Sequence, residues 1–219
     1  MRKRAIAYID GYNLYYGLLK GSPYKWLDLW AFARSLVRSD FDLDAVKYFT
    51  APIRTYPYDL AASDRQKVYL QALAAIGKVE IIHGFYSKNR ALAPFADRKC
   101  SSCDVTLDGF VPIVKLEEKR SDVNLAVSLV TDAAFDNADC FVIITGDSDQ
   151  IGAMEAVRHL FKKQVVVFNP HPTESRHLKS AASYYRNIPR DLPARCQLPD
   201  TIPYGKRGDR FIHRPSAWA

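Results

Sequence analysis

Short apolar runs alternate along this chain with stretches whose apolar positions recur at helical spacing. The run from Arg4 to Asp10, built on Ala5, Ile6, Ala7, Tyr8 and Ile9, predicts a strand buried on both faces. It ends in Asp10-Gly11. Asn13 to Leu19 then reads as a helix broken by Gly21-Ser22-Pro23. Asp28 to Val37 is amphipathic, with Leu29, Phe32, Ala33 and Leu36 on one face. Val46 to Thr50 is a second strand closed by Pro52, and Asp59 to Ile76 is a long helix capped at Gly77. Val79 to Phe85 is a third strand.

Residues 87–112 break this rhythm with Pro94, Gly109, Pro112, two close cysteines and several basic residues. They read as an insertion, with a small hairpin running into Ile113 to Leu116. Alternation then resumes. Ser121 is placed to cap a helix with an apolar stripe of Val123, Ala126, Val127, Val130 and Ala134. Cys140 to Thr145 is a strand, followed by Gly146-Asp147-Ser148-Asp149 and a helix to about Phe161. Val165 to Phe168 is a strand stopped by Asn169-Pro170; a short helix, Ser175 to Ala182, and an extended piece near Tyr185 follow. Strands alternating with helices imply an α/β fold whose mainly parallel sheet is covered on both faces. Residues 1–189 form this unit, and 190–219 read as a basic, Pro- and Arg-rich tail.

Composition narrows the partners. Hydrophobic residues make up 48% of the 219 positions, enough for a sizeable core and too much for a disordered chain. The formal charge of +7 favours a polyanion. No apolar stretch approaches the roughly 20 residues that span a bilayer, so no membrane association is expected. The basic start lacks a cleavage site for a secretory signal. Cys100, Cys103, Cys140 and Cys196 do not form a disulfide framework, so a reducing, cytoplasmic setting is expected.

The chemistry concentrates in carboxylates. Ligands of parallel sheets sit at the carboxyl ends of strands, where strand order reverses. Asp10 and Asp147 lie at such ends, while Asp122 and Asp149 occupy first turns of helices. Gathered carboxylates repel and raise one another's pKa unless a cation neutralises them. Mg²⁺ or Mn²⁺ suits oxygen ligands and assists phosphodiester hydrolysis. Singly, an Asp at a helix start is a cap as readily as a ligand.

Three motifs carry a resemblance. Ala7-Tyr8-Ile9-Asp10-Gly11-Tyr12-Asn13, Glu117-Glu118-Lys119-Arg120-Ser121-Asp122-Val123 and Ile143-Ile144-Thr145-Gly146-Asp147-Ser148-Asp149 resemble, in order, the motifs of NYN domains in the PIN-like nuclease group. The resemblance runs over roughly residues 4 to 170. It implies a Rossmann-like three-layer sandwich and a Mg²⁺ or Mn²⁺ site. The implied activity is endoribonuclease action on RNA through a metal-activated water. Asp10, Asp122, Asp147 and Asp149 match the catalytic, metal-binding acids. Asn13, Thr145 and Ser148 match polar positions that contact substrate or orient the carboxylates, and Glu118 matches an acid that supports the site or pairs with Lys119. Gln150 departs from the pattern, standing where an aromatic or large apolar residue is common. PIN-like proteins often form homo-oligomers, and no feature of this chain fixes an interface.

Weaker features leave alternatives open. Cys100 and Cys103 have the spacing of a structural Zn²⁺ half-site that His83 or a second subunit would have to complete; two reduced loop thiols are the other reading. Tyr12, Tyr15 and Tyr16 can stack on bases, with one of the latter two expected in the core. His171 and His177 receive no role. A haloacid-dehalogenase-type phosphatase needs an acid two residues after the strand-end Asp, where this chain has Tyr12. A non-catalytic RNA-binding regulator with the same fold is the competing reading, and the basic tail fits it equally well.

Overall fold

The computed structural model of the chain describes residues 2–53, 59–95, 99, 102–103, 105–106, 108–205 and 208–218. Strand β1 (Lys3–Asp10) is buried from Ala5 onward. The side chain of Asp10 caps α1 (Gly11–Leu14), which continues as a wider π turn over Tyr15–Leu19. Asp28 likewise caps α2 (Leu29–Leu36). Strand β2 (Phe41–Thr50) begins five residues before the expected Val46. Asp42 and Asp44 resemble loop residues, yet they are the exposed half of an alternation whose buried half is Phe41 and Leu43. Helix α3 (Ala62–Ile76) closes on Gly77 at φ 69°, a left-handed cap that glycine accepts without strain. Strand β3 (Glu80–His83) follows.

The insertion is larger than its composition implied. Strands β4 (Phe85–Pro94) and β5 (Phe110–Lys119) pair antiparallel along ten residues each, forming a ribbon separate from the main sheet. The zinc expectation falls partly outside the described residues: Cys100 is not among them, and Cys103 is exposed.

Helix α4 (Ser121–Ala134) corrects two expectations. Arg120 occupies the cap position at φ 80°, and Ser121 is already helical and buried. The inward stripe is Ser121, Leu125, Leu129, Asp132 and Ala133, while Val123 and Val127 face outward. The phase turns on Asp132, whose polarity disguised a core position. Its carboxylate accepts bonds from the buried Tyr8 hydroxyl (2.5 Å) and from Lys47 (2.7 Å), which compensate its burial.

Strand β6 (Cys140–Ile144), helix α5 (Ile151–His159), strand β7 (Gln164–Asn169), helix α6 (Arg176–Ala181) and strand β8 (Tyr184–Asn187) complete the repeating part. The six-stranded parallel sheet has the order β3-β2-β1-β6-β7-β8. Alternate residues of β1 feed opposite layers. Ala5, Ala7 and Ile9 pack with α2 and α3, while Ile6 and Tyr8 pack with α4 and α5. This is the parallel sheet covered on both faces that the alternation implied, and the Rossmann-like sandwich that the resemblance implied. Strand order reverses between β1 and β6, which opens a crevice at their carboxyl ends.

The described residues after 189 pack against the domain and are not a solvated tail. Strands β9 (Thr201–Tyr204) and β10 (Arg210–His213) form a hairpin whose Ile202 and Ile212 join the α2–α3 layer. Trp26 Nε1 donates to the Pro199 carbonyl at 2.9 Å, and Trp26, Tyr69 and Trp218 pack ring against ring. Composition concealed this because the apolar anchors are single residues among Pro and Arg. Ile202→Ala should therefore cost about 2–5 kcal/mol of stability, the penalty of a buried truncation. Urea unfolding at neutral pH measures it; an unchanged midpoint would mean that the hairpin is not part of the cooperative unit.

Candidate metal centre

The crevice between β1 and β6 collects the acids. Oxygens of Asp10, Asp122 and Asp147 all lie within 4.8 Å of one another, the only group of at least three metal-ligating side chains among the described residues. Asp10 is nearly fully buried, and three donors fix it. The Asn13 backbone N–H reaches Oδ1 at 3.0 Å, and Oδ2 accepts from Asn13 Nδ2 at 2.6 Å and from Thr145 Oγ1 at 2.8 Å. Asp147 closes the loop after β6: its backbone N–H donates to Thr145 Oγ1 at 3.0 Å, and its carboxylate accepts from the Asp149 N–H at 2.9 Å. Two glycines permit this closeness. A Cβ on Gly11 would lie 2.7 Å from the Phe49 carbonyl, and one on Gly146 would lie 2.4 Å from the His171 ring.

The capping roles are the reverse of those read from sequence. Asp10 and Asp147, the strand-end acids, make the caps. The helix-start acids, Asp122 and Asp149, accept no hydrogen bond from any described residue, and their side chains remain available to a ligand. Asp149 lies beside the cluster, close enough for its charge to act on Asp122, but it is not one of the three whose oxygens converge.

The other expected residues divide by exposure. Thr145, grouped with substrate-contacting positions, is fully buried and can only orient Asp10 and Asp147. Ser148 is exposed on the turn. Asn13 lines the crevice, but its amide is engaged: Nδ2 holds Asp10, and Oδ1 accepts from the Gly146 N–H (3.3 Å) and faces His171 Nε2 (3.0 Å). Because Oδ1 accepts, His171 Nε2 must carry the proton. Sequence reading assigned His171 nothing; its position just past the end of β7, next to β6 in the sheet, was the available signal. Glu118 faces the crevice, while Lys119 bonds Glu117 at 3.0 Å instead, since neighbouring strand residues point to opposite faces. Gln150 is buried, with Nε2 3.4 Å from the Asp122 carbonyl, so it packs beneath the acids. Tyr12, Tyr15 and Tyr16 are all exposed, which corrects the expectation of a core tyrosine.

The electrostatics suit a cation. No Lys or Arg among the described residues pairs with Asp10, Asp122, Asp147 or Asp149. Burial raises the Asp10 carboxyl above its ordinary range against the bonds that hold it ionised, and Asp147 adds to the rise. Asp122 is pushed up to about 6, first by desolvation and then by Asp10, Asp147 and Asp149. An all-oxygen, uncompensated donor set of this kind fits a hard divalent ion such as Mg²⁺ or Mn²⁺.

A carboxylate whose pKa rises on folding binds its proton more tightly in the native state. Its contribution to stability therefore falls as pH rises from about 4 through about 6. Asp122→Asn should raise the melting temperature of metal-free protein at pH 8 by on the order of 1–3 °C, a modest figure because the group is exposed. The gain should shrink toward pH 4, and the variant should lose most of the Mn²⁺-induced rise of the parent. Calorimetry in EDTA and in Mn²⁺ reads both; a destabilised variant that keeps the Mn²⁺ shift would remove Asp122 from the site.

The chain is similar to known proteins in both sequence and fold. The chain is 31% identical to the 6-hydroxy-3-succinoylpyridine 3-monooxygenase HspA of Pseudomonas putida, with 98% of this chain and 75% of the relative covered. In fold it is similar to the crystal structure of VPA0982 from Vibrio parahaemolyticus, a protein of unknown function. That match has a TM-score of 0.51 at 16% identity and covers 90% of this chain and 97% of the other. The sequence profile of the NYN domain spans residues 4–189, from the first strand through all the acids. The chain therefore belongs to the NYN domain family.

Proposed function

We propose that this protein is a metal-dependent ribonuclease that hydrolyses RNA phosphodiester bonds at the β1–β6 crevice. One observation carries the reading: the oxygens of Asp10, Asp122 and Asp147 converge within 4.8 Å, and no Lys or Arg among the described residues pairs with them. A divalent ion held by these three, with Asp149 beside them, would supply Lewis-acid stabilisation of phosphate charge and activation of water. The chain's own residues do the positioning. Asn13 and Thr145 clamp Asp10, and His171 fixes the Asn13 amide, so the acid cannot rotate away from the crevice. Tyr12, Tyr16 and Tyr86 give the crevice aromatic walls against which bases can stack.

The ribbon supports a polyanionic substrate. Tyr86 and Glu118 are cross-strand partners on the face that lines the crevice. By the two-residue period of strands, the exposed Lys88 and Arg90 lie on that same face, farther out. A strand of RNA leaving the acids along the ribbon would meet both cations. The test is incubation of labelled single-stranded and structured RNA with Mn²⁺ or Mg²⁺. Cleavage leaving 5′-phosphate and 3′-hydroxyl ends is expected. It should fall on the order of 10²-fold or more in Asp147→Asn. Lys88→Ala with Arg90→Ala should weaken RNA binding and flatten its salt dependence by about two counterions. RNA bound but left intact with every metal would favour the non-catalytic regulator.

A second reading rests on the Pseudomonas putida relative, whose name describes oxygenation of a pyridine ring and whose match covers 98% of this chain. On that reading, one atom of dioxygen enters a hydroxypyridine ring and the other leaves as water, with two electrons from a reduced nicotinamide or flavin donor. Dioxygen consumption dependent on a hydroxypyridine, with no RNA cleavage in the same preparation, would make it the better account.

A further inference from the structure

A second cavity of about 720 Å³ adjoins the acidic crevice and shares Tyr12, Tyr16, Tyr86 and Glu118 with it. Its size is that of a small-ligand site. Aromatic rings make much of its wall: the buried Tyr48 and Tyr69 and the half-exposed Trp218 inside, the exposed Tyr12, Tyr15 and Tyr16 outside. Tyr12 and Tyr16 lie 4.5 Å apart between centroids, and Tyr15 meets Tyr16 edge-on. Such faces suit a planar ring.

The cavity is also cationic on one side. Lys20 lies 4.7 Å from the centre of the Tyr16 ring. Lys25 and Arg65 both line the wall; burial holds the lysine below its ordinary range, and the nearby arginine adds to the shift. Arg65 pairs with Asp59 at 2.5 Å, whereas Lys25 bonds only the Ser22 carbonyl, at 2.6 Å, and pairs with no carboxylate among the described residues. Among the described residues that line the cavity, three cations, Lys20, Lys25 and Arg65, face two carboxylates, Asp59 and Glu118, an excess that an anion would neutralise.

From this juxtaposition we infer that the cavity binds one planar heteroaromatic ring bearing an anionic group, the ring among the tyrosines and the anion on Lys25 and Arg65. The assignment rests on the cavity and is independent of either reaction proposed for the acids. Two sources share this chemistry: a nucleotide of an RNA chain, and a free pyridine carboxylic acid.

Isothermal titration of the full chain in EDTA, which keeps divalent ions out of the crevice, separates them. Uridine 5′-monophosphate represents the first source and nicotinate the second. Saturable binding of either supports the inference and names its source. That ligand should weaken about tenfold or more in Lys25→Gln and in Tyr16→Leu. Uridine and nicotinamide, which lack the anion, and ribose 5-phosphate, which lacks the ring, should bind correspondingly less. Thermal unfolding checks that the variants fold, and Arg65→Lys, which keeps the charge, should retain most of the affinity. The inference is overturned if neither anion saturates, if both variants bind like the parent, or if ribose 5-phosphate matches the nucleotide. Loss of metal binding at the acids would leave all of these titrations unchanged.

Discussion

The carboxylate of Asp10 is the point on which the site depends. It sits at the end of a strand buried on both sides, where an uncompensated charge is costly. Three internal donors from two residues, Asn13 and Thr145, offset that cost, and each residue ties it to another part of the crevice. Through Asn13 it is joined to Gly146 and to His171 after β7, and through Thr145 to the backbone of Asp147 after β6. One buried carboxylate thus holds together the loops after three adjacent strands. The rigidity comes from the protein's own donors. The remaining electrostatic strain, set by Asp122 and Asp147, is left for a cation to relieve.

This explains what could be read from sequence. The strands and the acids were legible because both are local: a buried run and the acid directly after it lie within a few residues of each other. Position at the reversal of strand order then followed from the alternation of elements. The features that escaped depend on contacts distant in sequence. Asp132 reads as the polar face of α4 until Tyr8 and Lys47 are seen to converge on it, and the whole helix rotates accordingly. His171 is 158 residues from Asn13. The C-terminal hairpin has too few apolar residues for any periodicity, yet Ile202, Ile212 and Trp218 each find a partner in the α2–α3 layer.

The hairpin and the π turn matter for function as well as packing. Trp218, placed by the hairpin, joins Tyr69 of α3 in the wall of the second cavity. The π turn after α1 displays Tyr15 and Tyr16 together on that wall, inside the stretch that matches the family but beyond the first motif, which ends at Asn13. The parts of the chain least legible by pattern are therefore those that shape the space around the acids. That follows from the fold: a parallel sheet fixes the acids, and the segments beyond it define what can approach them.

Charge layout adds the last constraint. The acidic crevice repels anions until a divalent ion is bound, while Lys25 and Arg65 attract them in the adjoining space. Glu118 stands in the wall common to both, its carboxyl raised above the ordinary range by burial and by Asp122. A ligand spanning the two spaces must therefore present an anion to the lysine side and a group that tolerates, or gains from, a metal ion on the other. A nucleotide within a phosphodiester chain meets both requirements, having a phosphate on each side of its sugar. A hydroxylated pyridine acid meets them with its carboxylate and its ring oxygen. The same geometry is compatible with both chemistries, and what separates them is the distance between the two polar ends of the ligand. In the nucleotide those ends are linked through a sugar, and in the pyridine they are fixed on opposite sides of a single ring.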